Sequence, residues 1–120
     1  MELQSLQLKN CLLEIVQEDF NEPLDLPSLD GLLIANALHY SRHPIQTLEN
    51  LLQYLHSGGT FILMEYELEQ PRGHWIPYPI TFRKFQKIAE PLPLTEPVEK
   101  ARIPSVYGNN YIYLACCRKI

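Results

Sequence analysis

Two short apolar runs constrain this chain most. They are Gly31-Leu-Leu-Ile-Ala-Asn36 and Thr60-Phe-Ile-Leu-Met64. A strand with one wet face alternates apolar and polar residues. A continuous apolar run instead marks a strand buried on both faces, as in a parallel sheet covered by helices. Between the runs, Pro44 suits the first turn of a helix. Ile45, Leu48, Leu51, Leu52 and Leu55 follow at spacings of three and four, which predicts an amphipathic helix. The helix is expected to close at His56-Ser-Gly58-Gly59, where a glycine can adopt the left-handed conformation. Strand, helix and strand form a βαβ unit, so an α/β fold is expected.

The remaining segments extend this unit. Residues 2–10 read as a short helix, and residues 11–17 as a strand with β-branched residues near its end. Residues 21–30 hold Pro23 and Pro27 and read as loop. Residues 65–79 are polar, aromatic and Pro-rich, a loop of a length seldom found without a binding or lid role. Thr81 is placed to cap a second helix whose apolar side is Phe82, Phe85, Ile88 and Ala89. Ile80 and Phe85 have the spacing of a hydrophobic staple. Residues 98–106 predict a strand interrupted at Pro104. Gly108-Asn109-Asn110 is a turn signal, and residues 111–117 are a last buried strand. Together these would close the sheet with an antiparallel hairpin. With no repeat, low-complexity segment or internal boundary, residues 1–120 read as a single domain.

Composition excludes several functions. The longest apolar run is far too short to span a bilayer. The net charge is −4, which argues against binding driven by phosphate neutralisation in nucleic acids. The charge is uneven: residues 1–60 hold eight acids and two bases, residues 61–120 six acids and eight bases. The first glycine is Gly31, so no Gly-rich phosphate loop precedes it. The three cysteines, Cys11, Cys116 and Cys117, read as reduced, buried thiols. Neighbours on a strand point to opposite faces and are poorly placed to bridge. The N-terminus lacks the basic start and long apolar stretch of a secretory signal, so a cytoplasmic protein is expected.

In open α/β sheets, ligands bind at the carboxyl ends of the parallel strands. That rule selects Glu18-Asp19-Phe20, the segment Asn36 to Tyr40, and Glu65-Tyr66-Glu67. Asp19 could accept from an exocyclic amine or bond its own backbone. Asn36 could meet a ligand or satisfy the strand end. His39 and His43 are four apart, but Pro44 follows and no third ligand stands near, so no metal is expected. The two C-terminal cysteines lie in the presumed core, which disfavours Cys-His chemistry. No G-x-S-x-G elbow occurs. The aromatic segment His74-Trp75-Ile-Pro-Tyr78 reads either as packing or as a substrate lid.

Taken in order, Val16-Gln-Glu-Asp19-Phe20, Leu29-Asp30-Gly-Leu-Leu-Ile-Ala-Asn36-Ala-Leu-His39 and Tyr54-Leu-His-Ser-Gly58-Gly59-Thr-Phe-Ile-Leu-Met-Glu65-Tyr66 resemble the later half of a class I S-adenosylmethionine-dependent methyltransferase. The resemblance covers residues 11–120. It implies a partial Rossmann-like sheet of parallel strands with helices, a C-terminal antiparallel hairpin, and a small-molecule methyl acceptor. It places Asp19 and Phe20 at the cofactor's adenine, and Asn36, Ala37 and Leu38 beside its methionine and sulfonium. It puts His39 at the acceptor as a candidate general base, with Tyr40, Tyr66, Trp75 and Tyr78 lining the acceptor side.

The chain departs from the family in having Ser57 where a proline is usual before the Gly-Gly pair. It also has no room for the first two strands and the Gly-rich loop between them. In the family sheet, those strands lie between the strands expected here at 11–17 and 31–36. The chain could be a fragment of a longer protein. It could be completed by a partner, either a complementing N-terminal half or a second copy. Its N-terminal segment could also pair elsewhere. A different class of reading is a non-catalytic α/β module that associates with a partner chain through an open sheet edge.

Overall fold

The computed structural model describes residues 3–8, 10–106 and 110–120, the first of these segments as backbone. The strands are β1 Leu3–Leu8, β2 Cys11–Val16, β3 Leu29–Ala35, β4 Leu55–Tyr66, β5 Val98–Pro104 and β6 Tyr111–Arg118. The helices are α1 Pro44–Leu52 and α2 Phe82–Ala89, with a single 3-10 turn at Leu38–Tyr40. One sheet has the order β3-β4-β6-β5. In it β3 and β4 run parallel, and β6 runs antiparallel to both β4 and β5. β1 and β2 form a separate antiparallel pair.

The βαβ unit and the closing hairpin thus stand as expected, while the N-terminus does not. Residues 3–8 are a strand rather than a helix. A weakly amphipathic segment of nine residues is shorter than the ~12–15 that an isolated helix needs. Pairing from Leu3↔Val16 to Leu8↔Cys11 satisfies its backbone instead. Asn10, at φ 59°, takes the left-handed conformation that a two-residue hairpin turn requires. The predicted turn at Gly108-Asn109 lies outside the described residues.

α1 also ends sooner than its apolar spacing suggests. Gln53 closes it, and Leu55 already belongs to β4. The Gly-Gly pair sits in a bulge instead: Leu29 pairs with Leu55 and Gly31 with Thr60, so residues 56–59 of β4 stand opposite Asp30 alone. Gly58 has φ +83°, and its N–H donates to Lys119 O at 2.8 Å. At Gly59 a Cβ would fall 2.5 Å from Leu55 Cδ1. The Lys119 ammonium donates to Leu52 O (2.7 Å), a carbonyl that the end of α1 leaves open, and to Leu55 O (2.6 Å) at the start of β4.

The core lies on one face of the four-stranded sheet. Leu48, Leu51 and Leu52 of α1 and Phe85, Ile88 and Ala89 of α2 pack with Ile34, Phe61, Leu63, Tyr113, Ala115 and Cys117. Each such large apolar side chain contributes roughly 1.5–3 kcal/mol by leaving water. Thr81 caps α2, accepting from Lys84 N at 3.0 Å, and Ile80 and Phe85 are both buried. Among the described residues, no helix covers the opposite face. Its register row Leu33, Ile62, Cys116 and Val98 is half-buried at the centre and open at both ends. Leu33 is 59% exposed. This corrects the expectation of strands buried on both faces. The cysteines differ likewise: Cys11 is exposed, Cys116 half-buried, and Cys117 buried, with its thiol pushed up to about 12 by burial.

Candidate functional site

The site forms where β3 and β4 end side by side. After Ala35, the Asn36 N–H still donates to Met64 O at 2.9 Å. Its φ of 53° then turns the chain out of the sheet. Asn tolerates that left-handed conformation better than most non-glycine residues. The 3-10 turn follows, closed by Tyr40 N to Ala37 O and Ser41 N to Leu38 O. Leu38 is fully buried in the core and anchors the turn. His39 is thereby held at 2% exposure over the end of β4.

Glu65 meets it there, and this carboxylate is fully buried. Its Oε1 accepts from His39 Nδ1 at 2.6 Å and from the Tyr66 N–H at 3.0 Å. Its Oε2 accepts from the His39 N–H at 3.2 Å. An ionised carboxylate only accepts, so Nδ1 donates to Glu65 and Nε2 is the ring nitrogen outside this bond.

His39 borders a cavity of about 540 Å³ with Asn36, Tyr40, Tyr66, Arg72, Trp75 and Ile76. The His39 ring lies 4.4 Å from Tyr40 and 6.0 Å from Tyr66 between centroids, so three rings make one wall. The other wall comes from the long loop after β4. Arg72 and Ile76 pair as an antiparallel bridge, with Gly73 at φ +53° in the turn. Ile76 is buried and holds the turn down. Trp75 is 79% exposed at its tip. The loop is tied to the turn after β3 by the Tyr78 N–H, which donates to His39 O at 3.0 Å.

The cavity therefore gathers Asn36, His39, Tyr40, Tyr66 and Trp75 from the expected set. Tyr78 faces elsewhere, lining a second cavity of about 430 Å³ with Arg42 and Lys84 among others. Ala37 and Phe20 are half-buried against the core. Asp19 is exposed, and its Oδ1 accepts from Asn21 N (2.9 Å) and Asn21 Nδ2 (3.1 Å). The loop that follows is pinned to α1 and to the link after it: Thr47 Oγ1 donates to Asn21 Oδ1 at 3.0 Å, and Tyr54 OH bonds Leu24. Among the described residues, no group of three His, Cys, Asp or Glu could hold a metal ion. No helix of the described residues is long and apolar enough to cross a membrane.

Sequence reasoning selected the segment Glu65 to Glu67 but not Glu65 as the partner of His39. The available signal was its place, an acid directly behind a run of four apolar residues. Arg72 and Ile76 carried no signal, since only the fold of the loop brings them to the cavity.

No protein-family profile and no curated protein sequence matches the chain. Solved structures do match in fold. The Burkholderia thailandensis 1,6-didemethyltoxoflavin-N1-methyltransferase, solved with 1,6-didemethyltoxoflavin and S-adenosylhomocysteine, aligns at TM-score 0.71 and 20% identity. That alignment covers 87% of this chain and 49% of that one. TnmH aligns at TM-score 0.60 and 14% identity, over 88% of this chain and 34% of that one. The mitomycin 7-O-methyltransferase MmcR aligns at TM-score 0.58 and 16% identity, again over 88% and 34%. The chain thus spans about half the length of the first and about a third of the other two. The matches fall in the C-terminal part of those chains. The β3-β4-β6-β5 sheet with its two helices is accordingly a partial Rossmann-like α/β sheet, similar in fold to the C-terminal part of these solved structures.

Proposed function

We propose that this chain forms the later part of an S-adenosylmethionine-dependent methyltransferase acting on a small molecule. The observation that carries the reading is the buried His39–Glu65 pair on the wall of an aromatic cavity at the ends of β3 and β4. When bound, S-adenosylmethionine supplies an electrophilic methyl group on a sulfonium sulfur. This chain's part is to hold the acceptor against the aromatic wall and to take its proton at His39 Nε2. Glu65 keeps the ring in the required tautomer and stabilises the imidazolium that forms. Alignment and electrostatics do the rest.

The residues present fit one side of that cofactor. Asn36 borders the cavity, and the Ala37–Leu38 backbone turns beside it, which suits the sulfonium end. Asp19 and Phe20 are assigned to the adenine. In this reading the ribose and the amino-acid end are held by a polypeptide outside these 120 residues, either joined to the chain or as a separate partner. The 120 residues alone then bind the cofactor weakly. Calorimetry with S-adenosylhomocysteine tests this: affinity in the micromolar range for the chain alone contradicts it.

A second reading has an observation of its own. β3 is an edge strand beside an apolar sheet face, and parallel strands are ordinarily covered on both sides. In that reading the chain is a non-catalytic module that binds a partner through this edge, or pairs with a second copy. Light scattering behind size exclusion separates the two: a mass above that of a 14.0 kDa monomer favours association. We assign the protein to the cytoplasm, where Cys116 and Cys117 would stay reduced.

A further inference from the structure

We propose that the open face of the β3-β4-β6-β5 sheet binds a second copy of this chain, whose β1–β2 hairpin lies across it. The contact is made twice, about a two-fold axis. It is separate from strand pairing at the β3 edge and from the cavity at His39, so it holds under either reading of function. The sheet face is apolar in two successive register rows. One is Leu33, Ile62, Cys116 and Val98, and the next is Ala35, Met64, Leu114 and Ala101. Leu33 and Val98, at the two edges, are 59% and 51% exposed. Four strands at ~4.8 Å make the face roughly 19 Å across. Monomeric chains seldom leave an apolar surface of that size open to water.

The hairpin supplies the matching surface. All six residues of β2 are exposed, and none belongs to the core. Leu13 and Ile15, two apart and so on one strand face, are 43% and 51% exposed. A lone two-stranded hairpin is marginal in water and gains by packing on a further surface. Its own sheet face is out of reach. Phe20 and Leu24 pack against the core on the helix side, where Thr47 and Asn50 hold Asn21 and Glu22. Only residues 17–19 separate that anchor from Val16, an extended span of at most ~14 Å. Passing one layer of ~10 Å and then two strand spacings of ~4.8 Å needs more. A second copy has no such tether. Charge favours the same pairing. Residues 1–20 hold four acids and one base, which sets hairpin against hairpin. Exposed Arg118, two residues beyond Cys116 and so on the same strand face, and exposed Lys100 in the β5 bulge instead border the apolar rows. Two six-residue strands cover roughly 200 Å². Two such contacts hide roughly 800 Å² counting both partners, the size of a weak, reversible interface.

Sedimentation equilibrium on the native chain, from about 10 to about 500 μM, is the first test. The mass should rise from 14.0 kDa toward twice that value, and a mass fixed at 14.0 kDa throughout overturns the proposal. Two paired variants then locate the contact: Leu33→Glu with Val98→Lys on the face, and Leu13→Glu with Ile15→Lys on the hairpin. Each should weaken association at least about tenfold with native far-UV circular dichroism. Undiminished association in either variant puts the contact elsewhere, the β3 edge included, and overturns the proposal. Mixing the two variants leaves one intact contact, the hairpin of the face variant on the face of the hairpin variant. NMR of the labelled hairpin variant should then show saturable amide shifts at Ile62 and residues 114–116, and no shift at millimolar partner overturns the proposal. A half-labelled mixture of the native chain needs no substitution. It should give methyl NOEs between Ile15 of one copy and Ile62 of the other, and a dimer without NOEs from β2 to this face overturns the proposal.

Discussion

His39 and Glu65, twenty-six residues apart, are joined at 2.6 Å between Nδ1 and Oε1, with both side chains buried. The bond ties the turn after β3 to the last residues of β4, so the same contact sets the imidazole and closes the site. Glu65→Gln replaces a pure acceptor by an amide and leaves one of three N–H donors poorly matched in a dry environment. We expect a loss of about 1–3 kcal/mol in stability, read as a lower urea midpoint with unchanged slope. Glu65→Ala, which also leaves a void, should cost more than Glu65→Gln.

Gly59 packs where no side chain fits, because a Cβ would meet Leu55 Cδ1 at 2.5 Å and His56 O at 2.9 Å. Gly59→Ala should therefore destabilise by about 1–3 kcal/mol through overpacking. Gly31→Ala provides the contrast: its Cβ would lie 3.7 Å from Thr60 O, an ordinary contact, and should change stability by less than about 1 kcal/mol. Equal losses at the two positions would contradict the bulge geometry.

Which parts of this fold could be read from residues follows from how each is determined. α1, α2, β3, β4 and β6 depend on local apolar spacing and on Pro44 and Thr81, and all five were legible. β1 depends on a pairing partner, and its spacing alone resembles a weak helix. The end of α1 depends on Lys119, sixty-seven residues beyond Leu52, which no local pattern reveals. The open sheet face escaped notice because a continuous apolar run implies two covered faces, whereas here both helices pack on one side. At the site, the strand-end rule located Asn36, His39 and Tyr66. Arg72 and the inward wall of Trp75 arise from a loop turn that carries no periodicity.

His56 gives stability a pH dependence. Its Nδ1 bonds Ser57 O and its Nε2 bonds Asp30 Oδ1, both at 2.7 Å. Both partners are acceptors, so the protonated ring satisfies both. The Ser57 carbonyl first, and then the Asp30 side chain, raise its pKa above the ordinary 6.5. A raised folded pKa means that this contribution is fully present below pH 6.5 and fades as pH rises through the folded value. The ring is exposed, so the effect is small. Measured as denaturant midpoints at pH 5.5 and pH 8, the native chain should lose more on going to high pH than His56→Gln does. Asp30→Asn should lower the His56 pKa in an NMR titration.

Phe85 sits at the centre of the core, with its ring 6.1 Å from Phe61 and no exposure. Phe85→Ala should cost about 3–5 kcal/mol and, in a domain this small, can unfold it. Phe85→Leu, which keeps most of the volume, should retain a cooperative transition in thermal unfolding. Tyr113, in the same core and against Phe82, is held neutral, because burial pushes its hydroxyl well above the usual tyrosine value, and its O–H donates to Ile80 O at 2.9 Å. Tyr113→Phe should therefore cost about 0.5–1.5 kcal/mol, with no change in pH dependence up to pH 9.

The central claim is that the ends of β3 and β4 form one side of a cofactor and acceptor site. An NMR titration of the 120 residues with S-adenosylhomocysteine addresses it residue by residue. The account predicts shifts at Asp19, Phe20 and residues 36–39, with an affinity weaker than about 100 μM. Shifts confined to other residues, or none at millimolar ligand, would contradict the site. Saturation at micromolar concentrations would contradict the claim that a further polypeptide completes it.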